Sequence, residues 1–197
     1  LPAPERTLGL KYSLRHFYVD DQGNRADPPR WLKQSQEKLV HLQRRLNRMQ
    51  PGSKNYEEAV LKYRLLHEHI ANQRRDFLHK ESRRIANAWD AVCVKDTDLV
   101  EMSQTLQLGN VMDAGYGQFR TYLQYKLERM GKPYIVVEKY FPSAKTCHRC
   151  GAVNDALAAD ARRWQCPSCG AVLMLASNAA ENLRNQGLAQ YYENQGR

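Results

Sequence analysis

The stretch Cys147-His148-Arg149-Cys150-Gly151 is followed, with fifteen residues between Cys150 and Cys166, by Cys166-Pro167-Ser168-Cys169-Gly170, which runs on into Leu173-Met174-Leu175-Ala176-Ser177-Asn178-Ala179-Ala180. Two C-x2-C pairs at this spacing read as a tetrahedral metal site in an intracellular protein, each pair offering two thiolates from one tight knuckle. Gly151 and Gly170 stand directly after the knuckles, where the backbone must turn. The rival arrangement, a pair of disulfides, is disfavoured in a reducing cytosol. Cys147, Cys150, Cys166 and Cys169 are therefore read as ligands of one Zn²⁺. Four thiolates leave no open coordination position, which makes the metal's role structural. Lys145, Arg149, Arg162 and Arg163 make this ribbon basic, and Trp164 is read as either a packing or a stacking surface.

Working outward, residues 8–19 alternate loosely with aromatic and β-branched side chains and predict a strand or hairpin, with Asp20-Asp21-Gln22-Gly23-Asn24 as its turn. Pro28-Pro29 ends the extended section. Leu32, Leu39, Leu42, Leu46 and Met49 recur at helical spacing up to the stop Pro51-Gly52. A second helix is predicted over 55–89, with Val60, Leu66, Ile70, Phe77, Ile85 and Trp89 as packing points. Ala91-Val92-Cys93-Val94-Lys95 reads as a buried strand, 115–130 as a helix, 133–138 as a strand, and Leu173 onward as the opening of a last helix. Cys93, alone in its apolar run, is a buried small residue. His67, His69 and His79 read as packing or hydrogen-bonding side chains, because positions i and i+2 do not share a helical face.

The chain has 197 residues, 30 Lys and Arg against 21 Asp and Glu, and a formal charge of +9. That length fits one sizeable domain plus a small module, and that charge favours a polyanionic partner. With neither a run of 18 apolar residues nor a signal-peptide pattern, the chain reads as neither membrane-spanning nor secreted, so a cytoplasmic location is expected. Most of the charge excess lies between Arg30 and Asp90, where 14 Lys and Arg face 7 Asp and Glu, a net +7. Arg44, Arg45, Arg48, Arg74, Arg75, Arg83 and Arg84 there suit a phosphate backbone, where contacts supply affinity and salt dependence. Composition alone leaves open a solvated face with intrahelical ion pairs to Glu37, Glu57, Glu58 and Glu81.

Four stretches resemble the TnpB family, the transposon-encoded RNA-guided nucleases related to type V CRISPR effectors. They are Gly9-Leu10-Lys11-Tyr12-Ser13 with Phe17-Tyr18-Val19-Asp20, the run from His67 to Lys80, Phe141-Pro142-Ser143-Ala144-Lys145-Thr146-Cys147, and Asn178-Ala179-Ala180. The resemblance covers nearly the whole chain and implies an α/β fold: a RuvC-like, RNase H-like core over 1–140, with the basic helical hairpin inserted at about 31–89. It implies further a four-Cys zinc ribbon at 141–172, inserted before the last helix, and a last core segment at 173–197. The hairpin would line the channel holding the guide–target duplex, and Lys145 and Arg149 join the implied nucleic-acid contacts. A chain that starts Leu1-Pro2-Ala3-Pro4 without an initiator Met is expected to lack the amino-terminal wedge and recognition region of such proteins.

In that family three separated segments each carry an acid for two-metal cleavage, since hard cations such as Mg²⁺ are held by carboxylate oxygens. The first follows Gly-Leu on the first strand and falls on Lys11; the second closes the 91–95 strand and falls on Lys95. The third segment, aligned on Asn178, puts its acids on Met174 and Ala176. No acid occurs between Asp160 and Glu181. Asp96, next to Lys95, is expected to point to the opposite face of its strand.

The resemblance therefore implies a nuclease-dead protein with no catalytic Mg²⁺, most similar to the TldR repressors. Such a protein binds guide RNA and, through it, a double-stranded DNA target, and represses transcription by occupancy in the bacterial nucleoid. Target recognition is delegated to base pairing while the protein holds backbone and shape. Two alternatives stand beside it: an active RNA-guided DNA endonuclease with displaced acidic ligands, and a decayed structural remnant.

Overall fold

A computed structural model describes residues 4–13, 16–27, 30–98, 115–158 and 161–196; the side chains of residues 30–33 are also outside the description. The Leu1-Pro2-Ala3 lead, the Pro28-Pro29 break and Asp160 lie outside these residues. The chain divides into two compact units, one of Leu1–Asp27 with Ser82–Arg197, the other of Pro28–Glu81.

The first unit is built on a mixed five-stranded sheet. Its strands are β1 (Thr7–Tyr12), β2 (Tyr18–Asp20), β3 (Arg25–Ala26), β4 (Ala91–Lys95) and β5 (Tyr134–Val137), in the order β3-β2-β1-β4-β5. β2 is antiparallel to β1 and β3, whereas β4 runs parallel to both β1 and β5. The turn expected at Asp20–Asn24 joins β2 to β3 rather than closing the first hairpin. It closes there because the Asp20 carboxylate accepts the backbone N–H groups of Gln22 and Asn24 at 3.0 and 2.7 Å, an Asx-type turn.

Alternation along the strands sends two sets of side chains to opposite faces. Leu8, Leu10 and Tyr12 face the aromatic cluster completed by Phe17, Tyr18 and the helix Tyr116–Arg129. The ring centroids of Tyr12 and Tyr116 are 4.2 Å apart, and those of Phe17 and Phe119 are 5.0 Å apart. The opposite set, Gly9 and Lys11 on β1 and Cys93 and Lys95 on β4, lies under the last helix.

That last helix, Leu175–Gln195, seats on the sheet through small residues. A Cβ on Gly9 would overlap the Ala180 carbonyl oxygen, and a Cβ on Gly187 would lie 2.5 Å from Cys93 Sγ. Ala179 and Ala180 are fully buried. Glycine at 9 and 187 is thus a steric requirement of the helix–sheet contact, and Cys93 is the buried small residue its surroundings predict.

Two long helices follow β3: α1 (Arg30–Leu46) and α2 (Lys54–Ala88). The helix Tyr116–Arg129 is α3 and Leu175–Gln195 is α4. The end of α2 belongs to the first unit, where Ser82 Oγ accepts from Lys126 Nζ at 2.6 Å and the Ala86 carbonyl accepts from Lys132 Nζ at 2.7 Å. The Pro28–Glu81 unit holds α1 and the greater part of α2. His67 and His69 are exposed rather than packed, His67 resting edge-on against Tyr63 at 4.7 Å.

The last helix does not open at Leu173. Val172–Met174 form a strand, β7, antiparallel to β6 (Arg163–Gln165), and the helix begins at Leu175. The reason is a small core: Leu173 pairs with Trp164 and packs with it among Cys147, Cys166 and Ala171. That burial pins Leu173 in a strand, so the ribbon runs through Met174.

Candidate metal centre and lysine pocket

Each cysteine pair sits on a knuckle built the same way. Gly151 N–H donates to the Cys147 carbonyl at 2.8 Å, and Gly170 N–H to the Cys166 carbonyl at 2.9 Å. The backbone at the two glycines is left-handed, with φ of 76° and 71°, a conformation that costs glycine nothing. Cys147 N–H and Cys166 N–H then donate to Ala152 and Ala171 carbonyls at 2.9 and 2.8 Å, closing each loop. The four sulfurs come together within 4.8 Å of one another. Cys147 Sγ lies 3.7 Å from Cys169 Sγ, and Cys150 Sγ 3.6 Å from Cys166 Sγ. A tetrahedron with zinc–sulfur bonds of about 2.3 Å has edges of about 3.8 Å, so the donor set fits Zn²⁺ in chemistry and in size. Backbone N–H groups of Cys169 and Ser168 aimed at the Cys166 sulfur hold its thiol below the usual range, favouring the thiolate a metal requires. Among the described residues this is the one group of three or more His, Cys, Asp or Glu side chains close enough to hold a metal ion. Trp164, left open as packing or stacking, is buried in the ribbon's own core.

The ribbon is tied to α4 by two asparagines. Asn178 Oδ1 accepts the backbone N–H of His148 at 3.1 Å while its Nδ2 donates to the Thr146 carbonyl at 2.8 Å. Asn182 Nδ2 donates to the Ser143 and Thr146 carbonyls at 2.8 and 2.6 Å. Sequence reasoning singled out Asn178-Ala179-Ala180 as a motif without giving Asn178 a task, and it missed Asn182 altogether. Their spacing of four residues on a predicted helix, one face turned to the cysteine knuckle, was the available signal.

The second cluster lies where the parallel strands β1 and β4 end. Leu10 is in register with Val94, which sets Lys11 beside Lys95 on the α4 side of the sheet. Burial first, and the neighbouring Lys95 ammonium second, push Lys11 down to about 8. Lys95 is likewise held below its ordinary value by burial, and its Nζ donates to the Phe141 carbonyl at 2.9 Å. Among the described residues no hydrogen bond or ion pair engages the Lys11 ammonium. Met174 is the N-cap residue of α4, with no side-chain cap, and Ala176 is in its first turn, which carries no acid.

Among the described residues, the nearby carboxylates are otherwise engaged. Asp96 is exposed, its Oδ1 4.0 Å from Arg120 Nη2. Asp21 is buried and bound by Arg184 Nη1 at 2.7 Å, and Arg184 also pairs with Glu181. Burial holds the Asp21 carboxyl above the usual carboxylate range in spite of that arginine.

The arginines singled out for phosphate contact are not equivalent. Arg44, Arg45, Arg48 and Arg75 are exposed, Arg75 being steered by a 2.6 Å bond from Nη2 to Asn72 Oδ1. Arg74 is only partly exposed. Arg84 donates to the Tyr18 hydroxyl at 2.8 Å, and Lys145 Nζ stands 3.8 Å from Asp155 Oδ1 while Arg149 is open to solvent.

Residues 1–106 match the OrfB_IS605 family, described as "Probable transposase", and residues 116–183 match the Cas12f1-like TNB domain. A Streptomyces pristinaespiralis protein named "Putative RNA-guided DNA endonuclease" is 31% identical over 191 residues, covering 95% of this chain and 47% of its own length. A Mycobacterium tuberculosis protein (strain CDC 1551 / Oshkosh) of like name is 28% identical over 192 residues, 91% of this chain and 41% of its own. The chain thus spans less than half the length of either. The fold is similar to a chain in the cryo-EM structure of a Cas12f1–sgRNA–target DNA complex, with a TM-score of 0.64 at 18% identity, over 92% of this chain and 39% of that one. Among the described residues no helix is long and apolar enough to cross a membrane.

Proposed function

Because the chain belongs to the TnpB family, we propose that it is a nuclease-dead, RNA-guided DNA-binding protein that represses transcription by occupying its target, as the TldR repressors are. Its partners are a guide RNA and double-stranded DNA, and its place is the nucleoid. The observation that carries this is the pairing of Lys11 with Lys95 at the ends of adjacent parallel strands, where the family pattern sets two acids. Cleavage by two divalent cations needs carboxylates there and at the start of the last helix. Two ammonium groups, Met174 and Ala176 do not fit Mg²⁺.

The strand order β3-β2-β1-β4-β5, with β2 antiparallel and α4 laid across β1 and β4, supports a RuvC-like core of the RNase H type. Cys147, Cys150, Cys166 and Cys169 would hold a Zn²⁺ whose binding energy orders a module too small to build a full core. The exposed arginines of α1 and α2 supply backbone contacts, while base pairing reads the sequence.

The test is guide-directed cleavage against guide-directed binding by the full-length protein. No cutting is expected in Mg²⁺ or Mn²⁺, together with retained guide-dependent DNA binding. Introducing Lys11→Asp, Lys95→Glu, Met174→Asp and Ala176→Asp together is expected to recover weak cutting, and any subset is not, since a half-built site leaves one of the two reacting oxygens unsupported. Robust metal-dependent cutting by the unmodified protein, abolished by Asp96→Ala, would return it to the nucleases.

A further inference from the structure

We propose that the free edge of β5, together with the C-terminal half of α4, forms a docking groove for an extended, basic peptide segment of a protein partner, which adds to the sheet beside β5. Such docking is independent of whether the target DNA is cut or held, so it stands apart from the preceding reading.

β5 is the last strand in the order β3-β2-β1-β4-β5, and its ladder to β4 uses alternate residues. The Pro133 carbonyl accepts from Val92 N–H at 3.1 Å and the Val137 carbonyl from Asp96 N–H at 2.8 Å, so residues 133, 135 and 137 commit their backbone groups to β4. Tyr134 and Val136 therefore turn theirs outward, and among the described residues nothing bonds to those outward groups. Native edges are commonly blunted by a lysine, a proline or a bulge within the strand. Tyr134-Ile135-Val136-Val137 has none of these, and the Val136 side chain is 43% exposed. Four residues at about 3.3 Å each limit the added segment to a paired length of about 13 Å.

A groove runs along this edge, walled by Gln190, Tyr191, Glu193 and Asn194 of α4, with Lys132 and Glu138 flanking the strand. Alternation puts Ile135 under α4, its Cγ2 3.3 Å from where a Cβ on Gly187 would lie, and leaves Val136 on the other face. An added strand is thus offered amide and carboxylate side chains on one face and an apolar contact on the other. The free charge of the groove is acidic. Lys132 Nζ is held by the Ala86 carbonyl at 2.7 Å, and Lys139, next after Glu138, stands 3.6 Å from Asp98, whereas no ion pair engages Glu138 or Glu193 among the described residues. On a chain of net charge +9, two free carboxylates beside an open strand edge repel phosphate and attract lysine or arginine, which makes the occupant a basic peptide rather than nucleic acid. Tyr191 adds an unmet bond, its hydroxyl being buried with no hydrogen-bond partner among the described residues. In strand addition main-chain hydrogen bonds supply affinity and the side chains along the groove supply selectivity.

The test uses the full-length protein and a fluorescein-labelled peptide of alternating valine and threonine with lysines at both ends, followed by fluorescence anisotropy beside the same peptide ended in glutamates. The lysine-ended peptide is expected to bind about fivefold more tightly, a preference lost at high salt. Val136→Pro removes only an outward N–H, a loss that edge strands tolerate, and is expected to weaken binding by about tenfold or more while circular dichroism and melting stay unchanged. Glu138→Lys with Glu193→Lys is expected to reverse the preference toward the glutamate-ended peptide, a gain that no misfolded variant supplies. In the unaltered protein the lysine-ended peptide is expected to slow amide exchange at Tyr134 and Val136, read by mass spectrometry. Binding to Val136→Pro as tight as to the unaltered protein, an unreversed preference in the double variant, or amides unprotected at saturating peptide would each overturn the site. Self-association abolished by Val136→Pro would give the edge to a second copy, amides already protected without peptide would give it to another part of the full-length chain, and protection by an oligonucleotide in place of the peptide would give it to nucleic acid. Each of these three results overturns the basic partner.

Discussion

Gly9 on β1 lies directly beneath the carbonyl of Ala180 on α4, leaving no room for even a methyl group between strand and helix. The obstacle is backbone, which cannot rotate aside. Gly9→Ala is therefore expected to destabilise the first unit by about 3 kcal/mol or more, the upper end for overpacking. Denaturant unfolding followed by circular dichroism checks it, and a loss under about 1 kcal/mol would mean that α4 shifts easily.

The asparagine tie between ribbon and helix makes a second expectation. Asn178→Ala removes acceptor and donor bonds to residues 146 and 148 in a buried setting, at a cost of about 2–3 kcal/mol. Stripping zinc with a chelator, or Cys147→Ser, is expected to raise amide exchange over residues 141–174 and then in the first turn of α4, before the sheet responds. Elemental analysis of fresh protein is expected to find one zinc per chain, and exchange unchanged by chelation would show that the knuckles stand without metal.

Lys11 makes stability depend on pH. In the unfolded chain it keeps its proton to about its ordinary value, whereas in the fold it releases it near 8. Between those values the unfolded chain binds more protons, so stability rises with pH through that window. Below it both states are charged and the full penalty stands, up to about 3 kcal/mol. Lys11→Met is expected to be more stable at neutral pH and to lack this rise, as read from the difference between the two pH–stability curves.

Sequence alone revealed the cysteine knuckles, the strand at 91–95 and the helices at 55–89 and 115–130, because each follows from spacing or periodicity over a few neighbours. The pairing of Lys11 with Lys95 was less visible: it depends on parallel register between strands some eighty residues apart. Leu173 was misassigned because its helical neighbours outweighed a ribbon core assembled from Trp164 and the cysteines. The bond from Lys95 to Phe141 left no local trace, since it arises from how the segment after β5 returns to the sheet.

For the helices of the Pro28–Glu81 unit, exposure now ranks the arginines. Arg75→Ala is expected to weaken nucleic-acid binding for all sequences alike and to reduce the salt slope by about one. Arg74→Ala, at a partly covered position, is expected to change stability more than slope. Equal salt slopes in wild type and Arg75→Ala would assign that helix face to solvent.

The seat of α4 is made by Gly9, Ala179, Ala180 and Gly187, and none of these is a residue whose charge defines the pocket at the strand ends. Backbone frame and pocket chemistry are therefore separately writable: side chains at 11, 95, 174 and 176 can be exchanged without lifting the helix from the sheet. If the protein holds its target without cutting it, a few codons of charge separate the two behaviours on this scaffold. That makes the two activities near neighbours in sequence space, open to crossing in either direction.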